Sequence, residues 1–453
     1  MTENDENPAV DEADSSSEEE LTADELLEFA LTAGFNTFRE RQREIRRLAR
    51  YVQERADDID NAKTRAKELI EEQLSEVDEK TLDDLMNSFT STLDEVVQEQ
   101  GLSDDERVEV VASTFRALSE DLPAGALSSY LESIARVTLS PPPTPMLLGS
   151  LLVSLVGELE TLVGAVARAL YAHQPGKLSE LGKSYTWGEI ERFETVAEMR
   201  EHVADHAVEK MLYGSFSDWF DLLERRFGVP RPARSTEFKT LEVIQRRHLM
   251  VHSAGVVSRQ YLENLKDFKV EADLHDQLVV DYKYLADATD ALFVVALSLV
   301  AGTTFKSARD VEAQERMERR ISNTTYYLLQ EERYEAVISI VQHLALNRMR
   351  DELAKHIIQV NGWIALKQLG RFAECRKAVE RFDTRSKSNN LRLAKMALLD
   401  QVEAAHTLAR EMLESEELPA EHWLAWPLLA DVRAYHEALT LKASEDAQAS
   451  EGD

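Results

Sequence analysis

The stretch RRHLMVHSAG, residues 246–255, sets Arg246 and Arg247 ahead of His248 and His252, with apolar Leu249, Met250 and Val251 between the histidines. Side chains of these types could cut a phosphodiester. Breaking RNA through its own 2′-hydroxyl needs a group that moves a proton near neutral pH, and a cation for the charge that builds on the phosphorus oxygens. Histidine titrates in the right range for the first task. Arginine stays charged, and its guanidinium forks onto two phosphate oxygens for the second. On this reading His252 is the acid or base, Arg247 stabilises the transition state, His248 is a polar helper and Arg246 contacts the substrate backbone. The plainer reading of the same residues is a half-buried helix, with Leu249, Met250 and Val251 in the core, the arginines solvated and His252 a satisfied helix histidine.

Geometry sets a condition on the first reading. Successive helical residues are about 100° apart, so Arg247 and His252 sit about 140° apart around an unbroken helix. They converge only if the helix ends near Ser253-Ala254-Gly255, or if sites from two chains complete each other. His248 and His252 also have metal-ligand spacing, but a zinc protease carries Glu beside its first histidine and Leu249 stands there. No Gly-rich phosphate loop or Gly-x-Ser-x-Gly elbow occurs, so neither metal nor cofactor is expected.

The elements around the motif read as helices. With 16 Gly and 11 Pro in 453 residues, and long Ala/Leu/Glu/Arg-rich windows, the chain is expected to be all-α, in more than one domain. Residues 1–20 hold nine Asp/Glu and no Lys or Arg, and read as a disordered acidic tail rather than a signal peptide; 442–453 reads as a second tail. Residues 21–140 read as an N-terminal helical region. Its FRERQREIRRLAR segment could guide RNA or dock an acidic partner, but reads better as a solvated helix face partly balanced by Glu40 and Glu44.

SPPPTP at 140–145 predicts an extended boundary. Five helices follow over 146–306: 146–175, 186–212, 217–228, the motif helix from about 235, and 281–305. This pattern suggests a compact bundle. Just before the motif helix, RRFGVPRPARS supplies Arg225, Arg226, Arg231 and Arg234 as candidates for gripping RNA phosphates. From 316 to 441, LLQEERYEAVISIVQ, LKQLGRFAECRKAVE and ALLDQVEAAHTLARE look alike around Tyr334, Phe372 and Val402, and resemble tetratricopeptide-type helix pairs. The lone cysteine, Cys375, falls in one of these segments, where packing explains it better than nucleophilic chemistry.

Arg247, a polar residue, three more and then His252 form a pattern that resembles the HEPN superfamily of helical ribonucleases. The resemblance covers about 146–306, including the long apolar first helix, the motif helix, Tyr261 after it and a closing apolar helix. It implies metal-independent RNA cleavage, a role as toxin or antiviral effector, and a composite site in a homodimer. One departure is Ser253, where related sequences often carry Asn.

A formal net charge of −32 opposes nucleic-acid binding except at a local basic patch or in high salt. A single cysteine excludes an internal disulfide and fits a reducing cytosol. Glu158 and Glu160 interrupt the most apolar stretch, which reads as a core helix, so a cytoplasmic protein without a membrane span is expected. The competing expectation is an inactive bundle joined to a repeat scaffold that binds protein partners. The two part on whether Arg247 and His252 face an accessible, positively charged cleft.

Overall fold

The structure, a computed structural model, describes residues 21–61, 65, 142–343, 348–385 and 387–450, with side chains to residue 443. The acidic tail at 1–20, most of the helices read between 62 and 140, and the last three residues lie outside the described residues. Among the described residues there is no strand, only a lone bridge between Val256 and Gln277, and the class is all-α.

Among the described residues, the helices of six residues or more are α1 (Ala23–Glu54), α2 (Pro143–His173), α3 (Val196–Leu212), α4 (Phe216–Phe227), α5 (Phe238–Ser253), α6 (Arg259–Asn264) and α7 (Tyr282–Ser307). They continue as α8 (Val311–Gln330), α9 (Tyr334–His343), α10 (Glu352–Gln368), α11 (Arg376–Arg381), α12 (Asn389–Leu398), α13 (Val402–Glu414), α14 (Ala420–Ala425) and α15 (Ala430–Ser450). Local chemistry sets several of the ends. Ser215 and Asp218 form a reciprocal capping box before α4, and Gly228 closes that helix in the left-handed conformation. Asp310 and Asp351 accept backbone N–H bonds at the starts of α8 and α10.

Two boundaries differ from expectation. Pro143 and Pro145 do not lie in an extended boundary; they form the first turn of α2, where a missing N–H leaves no bond unmade and the fixed φ already suits a helix. The start is fixed by Thr144, whose N–H donates to Asp60 Oδ1 at 2.9 Å. At the other end, α15 runs to Ser450, through residues read as tail.

The chain divides into two compact units. One comprises the described residues through Asn36, Leu162–Ala233 and those from Ala296 onward; the other comprises those from Thr37 to Thr161 and Arg234–Val295. Helices α1, α2 and α7 contribute turns to both. By length and composition α2 and α7 could cross a membrane, yet 44% and 72% of their apolar windows are buried within the protein.

The first unit holds the helix pairs. At α8–α9, α10–α11 and α12–α13 the turn is the same. Glu332, Gly370 and Asp400 have φ of 58°, 72° and 59°. The next residue's N–H returns to the carbonyl five back: Arg333 to Leu328, Arg371 to Leu366 and Gln401 to Met396, at 2.9, 2.8 and 3.0 Å. Tyr334, Phe372 and Val402 follow, each half-buried. Cys375 is 5% exposed, and burial pushes its thiol pKa up.

The left-handed position generates a test. A Cβ at Gly370 would meet nothing within 4 Å, so only backbone strain opposes it. Gly370→Ala is expected to destabilise by about 1 kcal/mol, and Glu332→Gly to stabilise by less than about 1 kcal/mol. Shifts of the urea midpoint in opposite directions would show this.

Candidate active site

Helix α5 carries the motif, and its burial pattern decides which side chains face out. Thr240, Glu242, Val243, Ile244 and Leu249 are buried. Leu249 packs in a cluster with Val257, Tyr261 and Leu265, edged by Phe238, Leu241 and Leu278. Burying that face turns His248, Val251 and His252 to solvent, with Val251 48% exposed. The two imidazoles are four residues apart and therefore neighbours. Their planes lie within 15° of parallel, with centroids 6.3 Å apart. Burial of part of its ring, and then the charges of Arg247 and His252, lower the pKa of His248. It is held neutral at neutral pH.

Arg246 faces the other way. Its Nε donates to Glu242 Oε1 at 2.7 Å, its Nη1 to the Val279 carbonyl at 2.9 Å, and its guanidinium lies 4.1 Å over the Tyr284 ring. The Glu242 carboxylate also accepts from the Tyr261 hydroxyl at 2.9 Å and the Tyr284 hydroxyl at 2.5 Å. A buried carboxylate persists only when paired and hydrogen-bonded, and three donors meet that requirement. Burial, and next the negative charge of Glu242, push both tyrosine pKa values up. Both stay protonated and donating. This quartet floors a 380 Å³ cleft walled by Phe238, Val270 and Leu278. The placement of Arg246 is structural, with its donors committed inside the protein.

Arg247 takes an intermediate position. Its Nη2 lies 3.5 Å from Glu160 Oε1, and its side chain is 23% exposed. Its Nε is buried and has no hydrogen-bond partner among the described residues. The helix is unbroken from Arg247 through Ser253, so Arg247 and His252 remain about 140° apart and one chain does not bring them together. The helix ends just afterwards, with Ala254 and Gly255 at φ of 46° and 87°. Ending there leaves both side chains on the regular helix.

A clasp holds that end. The Leu278 N–H donates to the Gly255 carbonyl at 2.9 Å, the Val257 N–H to the Asp276 carbonyl at 2.9 Å, and Gln277 Nε2 to the Ala254 carbonyl at 2.7 Å. The carbonyls of Ala254 and Gly255, just past the end of α5, thereby gain partners.

The arginines expected to grip phosphate have local partners. Arg225 Nε donates to the Asp221 carbonyl at 3.1 Å, Arg226 to the Lys177 carbonyl at 3.3 Å, and Arg231 pairs with Asp221 and Ser217. These three belong to the unit that does not contain α5. Arg234, at φ 63°, pairs with Glu237 at 2.6 Å. In the N-terminal arginine cluster, Arg46 docks on Asp290 at 3.2 Å, beside Gln42, which donates to the Thr289 carbonyl at 2.8 Å. No group of three or more His, Cys, Asp or Glu side chains suited to a metal occurs among the described residues.

Sequence reasoning did not single out Glu242 or Tyr284, and took Glu160 only as a break in an apolar run. One local signal existed for Glu242, its position four residues before Arg246.

Gly255 has no freedom to change. A Cβ there would meet the Leu278 carbonyl oxygen at 2.5 Å and Gln277 Nε2 at 2.8 Å. Gly255→Ala is expected to destabilise by about 2–4 kcal/mol, through left-handed strain plus the clash. Unchanged thermal unfolding of that variant would show that the clasp is not docked. Compared with known proteins, the chain matches no family model, no curated protein and no solved structure.

Proposed function

We propose that this chain is a metal-independent endoribonuclease of the HEPN type, a toxin or antiviral-defence effector that acts in the cytoplasm as a homodimer. The observation that carries the reading is the solvent-facing pair His248 and His252, with parallel rings, directly after Arg247. In the reaction, a histidine takes the proton of the RNA 2′-hydroxyl as that oxygen attacks phosphorus. The bond from phosphorus to the 5′-oxygen breaks, a proton returns to that oxygen, and a cyclic phosphate and a 5′-hydroxyl result. His252 is the acid or base, neutral His248 assists as proton acceptor, and an arginine meets the charge on the phosphorus oxygens.

Because one chain separates Arg247 from His252, two copies supply the composite site. Exposed apolar side chains beside the histidines suit that contact: Val251 and Met146 are 48% and 67% exposed, and Met250 packs on Gly149. The helix pairs from α8 onward, tetratricopeptide-like in this reading, would hold a protein regulator.

A non-catalytic scaffold is the second reading, favoured by the pairing of Arg247 with Glu160. On the catalytic reading, substrate phosphate replaces that carboxylate.

Total RNA incubated with EDTA separates the two. The native chain is expected to cleave, and His252→Ala and Arg247→Ala each to lose roughly 100-fold or more in rate. If the native chain is inactive and all three proteins are equally harmless on expression, the scaffold reading stands. Cleavage should also report the lowered pKa of His248. A group neutral at and above its ordinary value of 6.5 gives a rate that holds as pH falls to that value and declines only below it. Initial rates between pH 8 and pH 5 for the native chain and His248→Gln measure this, and profiles of the same shape would remove His248 from the mechanism.

A further inference from the structure

The first unit holds a cavity of its own. It measures 710 Å³, within the range of small-ligand sites, and is formed by the loop after α4, the last turns of α7, helix α8, His343 at the end of α9, and Arg348 and Met349. Its floor is made of small residues, Ala233, Ser298, Ala301 and Gly302. Its cations are Arg231, Lys306 and Arg348, with His343 beside them. Among the described residues of the wall the single carboxylate, Glu318, is 3% exposed and accepts from the backbone N–H groups of Arg350 and Asp351 at 2.7–3.1 Å. Its charge is already answered within the protein. In a chain of net charge −32, a hollow with this excess of cations is a local reversal of sign.

The walls are also fixed in place. Pro230 packs on Gly302, where a Cβ would stand 3.1 Å from the proline ring, and the Ala233 N–H donates to Ser298 Oγ at 2.8 Å. Lys306 crosses Gly228, where a Cβ would meet its Cε at 2.9 Å. Arg231 is oriented by Asp221 and Ser217. Phe305, with 37% of its surface exposed, and Met349 also line the cavity.

The geometry points to a binding site here for a phosphate-bearing small molecule with a flat apolar portion, of nucleotide size. Lys306 and Arg348 take the phosphates, with Arg231 held by its pair with Asp221, while Phe305 and Met349 take the flat part. Charge-assisted bonds to phosphate from a preorganised wall are the strong kind, and Arg supplies them in pairs. The site shares no residue with the proposed nuclease centre, so it stands or falls independently of that reading.

Calorimetric titration of the full chain with ATP, adenosine and pyrophosphate tests it, with fold monitored by circular dichroism. ATP is expected to bind one per chain, adenosine not to bind, and Lys306→Glu and Arg348→Glu each to weaken ATP roughly tenfold or more. Lys210→Glu, an exposed change outside the cavity, should leave binding unaltered. Weaker ATP binding in Phe305→Ala supports the stacking role, whereas pyrophosphate binding as tight as ATP would overturn it. No ATP binding at millimolar concentration, or equal binding by the native chain and both charge-reversed variants, overturns the site.

Discussion

The motif helix is held by one buried carboxylate. Glu242 is 6% exposed and receives donors from Arg246 on its own helix, Tyr261 on α6 and Tyr284 on α7. Burial makes a charge costly, and these three donors make it tolerable; removal of one partner from such a group typically costs 3–5 kcal/mol. The quartet fixes the rotation of α5 about its axis. That rotation places Leu249 in the core and leaves the histidines outside. The chemistry available to His248 and His252 follows from a polar contact on the opposite side of their helix.

Arg246 and Arg247 are adjacent in sequence but differ in environment. The first is committed to Glu242, Val279 and Tyr284, while the second is mostly buried, with one carboxylate at 3.5 Å and a buried Nε that lacks a partner among the described residues. A neighbouring pair of arginines reads from sequence as one basic patch. A helix rotates adjacent residues by about 100°, so each arginine meets a different set of neighbours.

Much of the architecture was legible in advance because helical periodicity is a local signal. The all-α class, most of the helices read between 146 and 306 and the turns before Tyr334, Phe372 and Val402 all follow from spacing and turn chemistry. The second bundle helix, read as continuous over 186–212, is interrupted: Trp187–Ile190 is a separate short helix, and Thr195 caps the next. Pro143 and Pro145 misled for a specific reason. Proline ends helices, but it also begins them, and only the Asp60 contact from elsewhere in the chain selects the second use. Glu242 was hidden because a Glu four residues before an Arg usually forms a solvated pair. The tyrosines that bury it stand 19 and 42 positions away, beyond any helical repeat. The pairing of Arg247 with Glu160 is equally non-local.

The Glu242 quartet also constrains how this sequence can drift. Four residues on three helices share one charge, and replacing any one of them alone leaves either a buried carboxylate short of donors or a buried guanidinium without its acid. An apolar quartet of similar volume could fold as well, but every single-step route to it passes through an intermediate with an uncompensated charge. The histidines on the outer face have no such ties and can be exchanged one at a time. In a set of descendants, the supporting residues should therefore persist longer than the exposed pair.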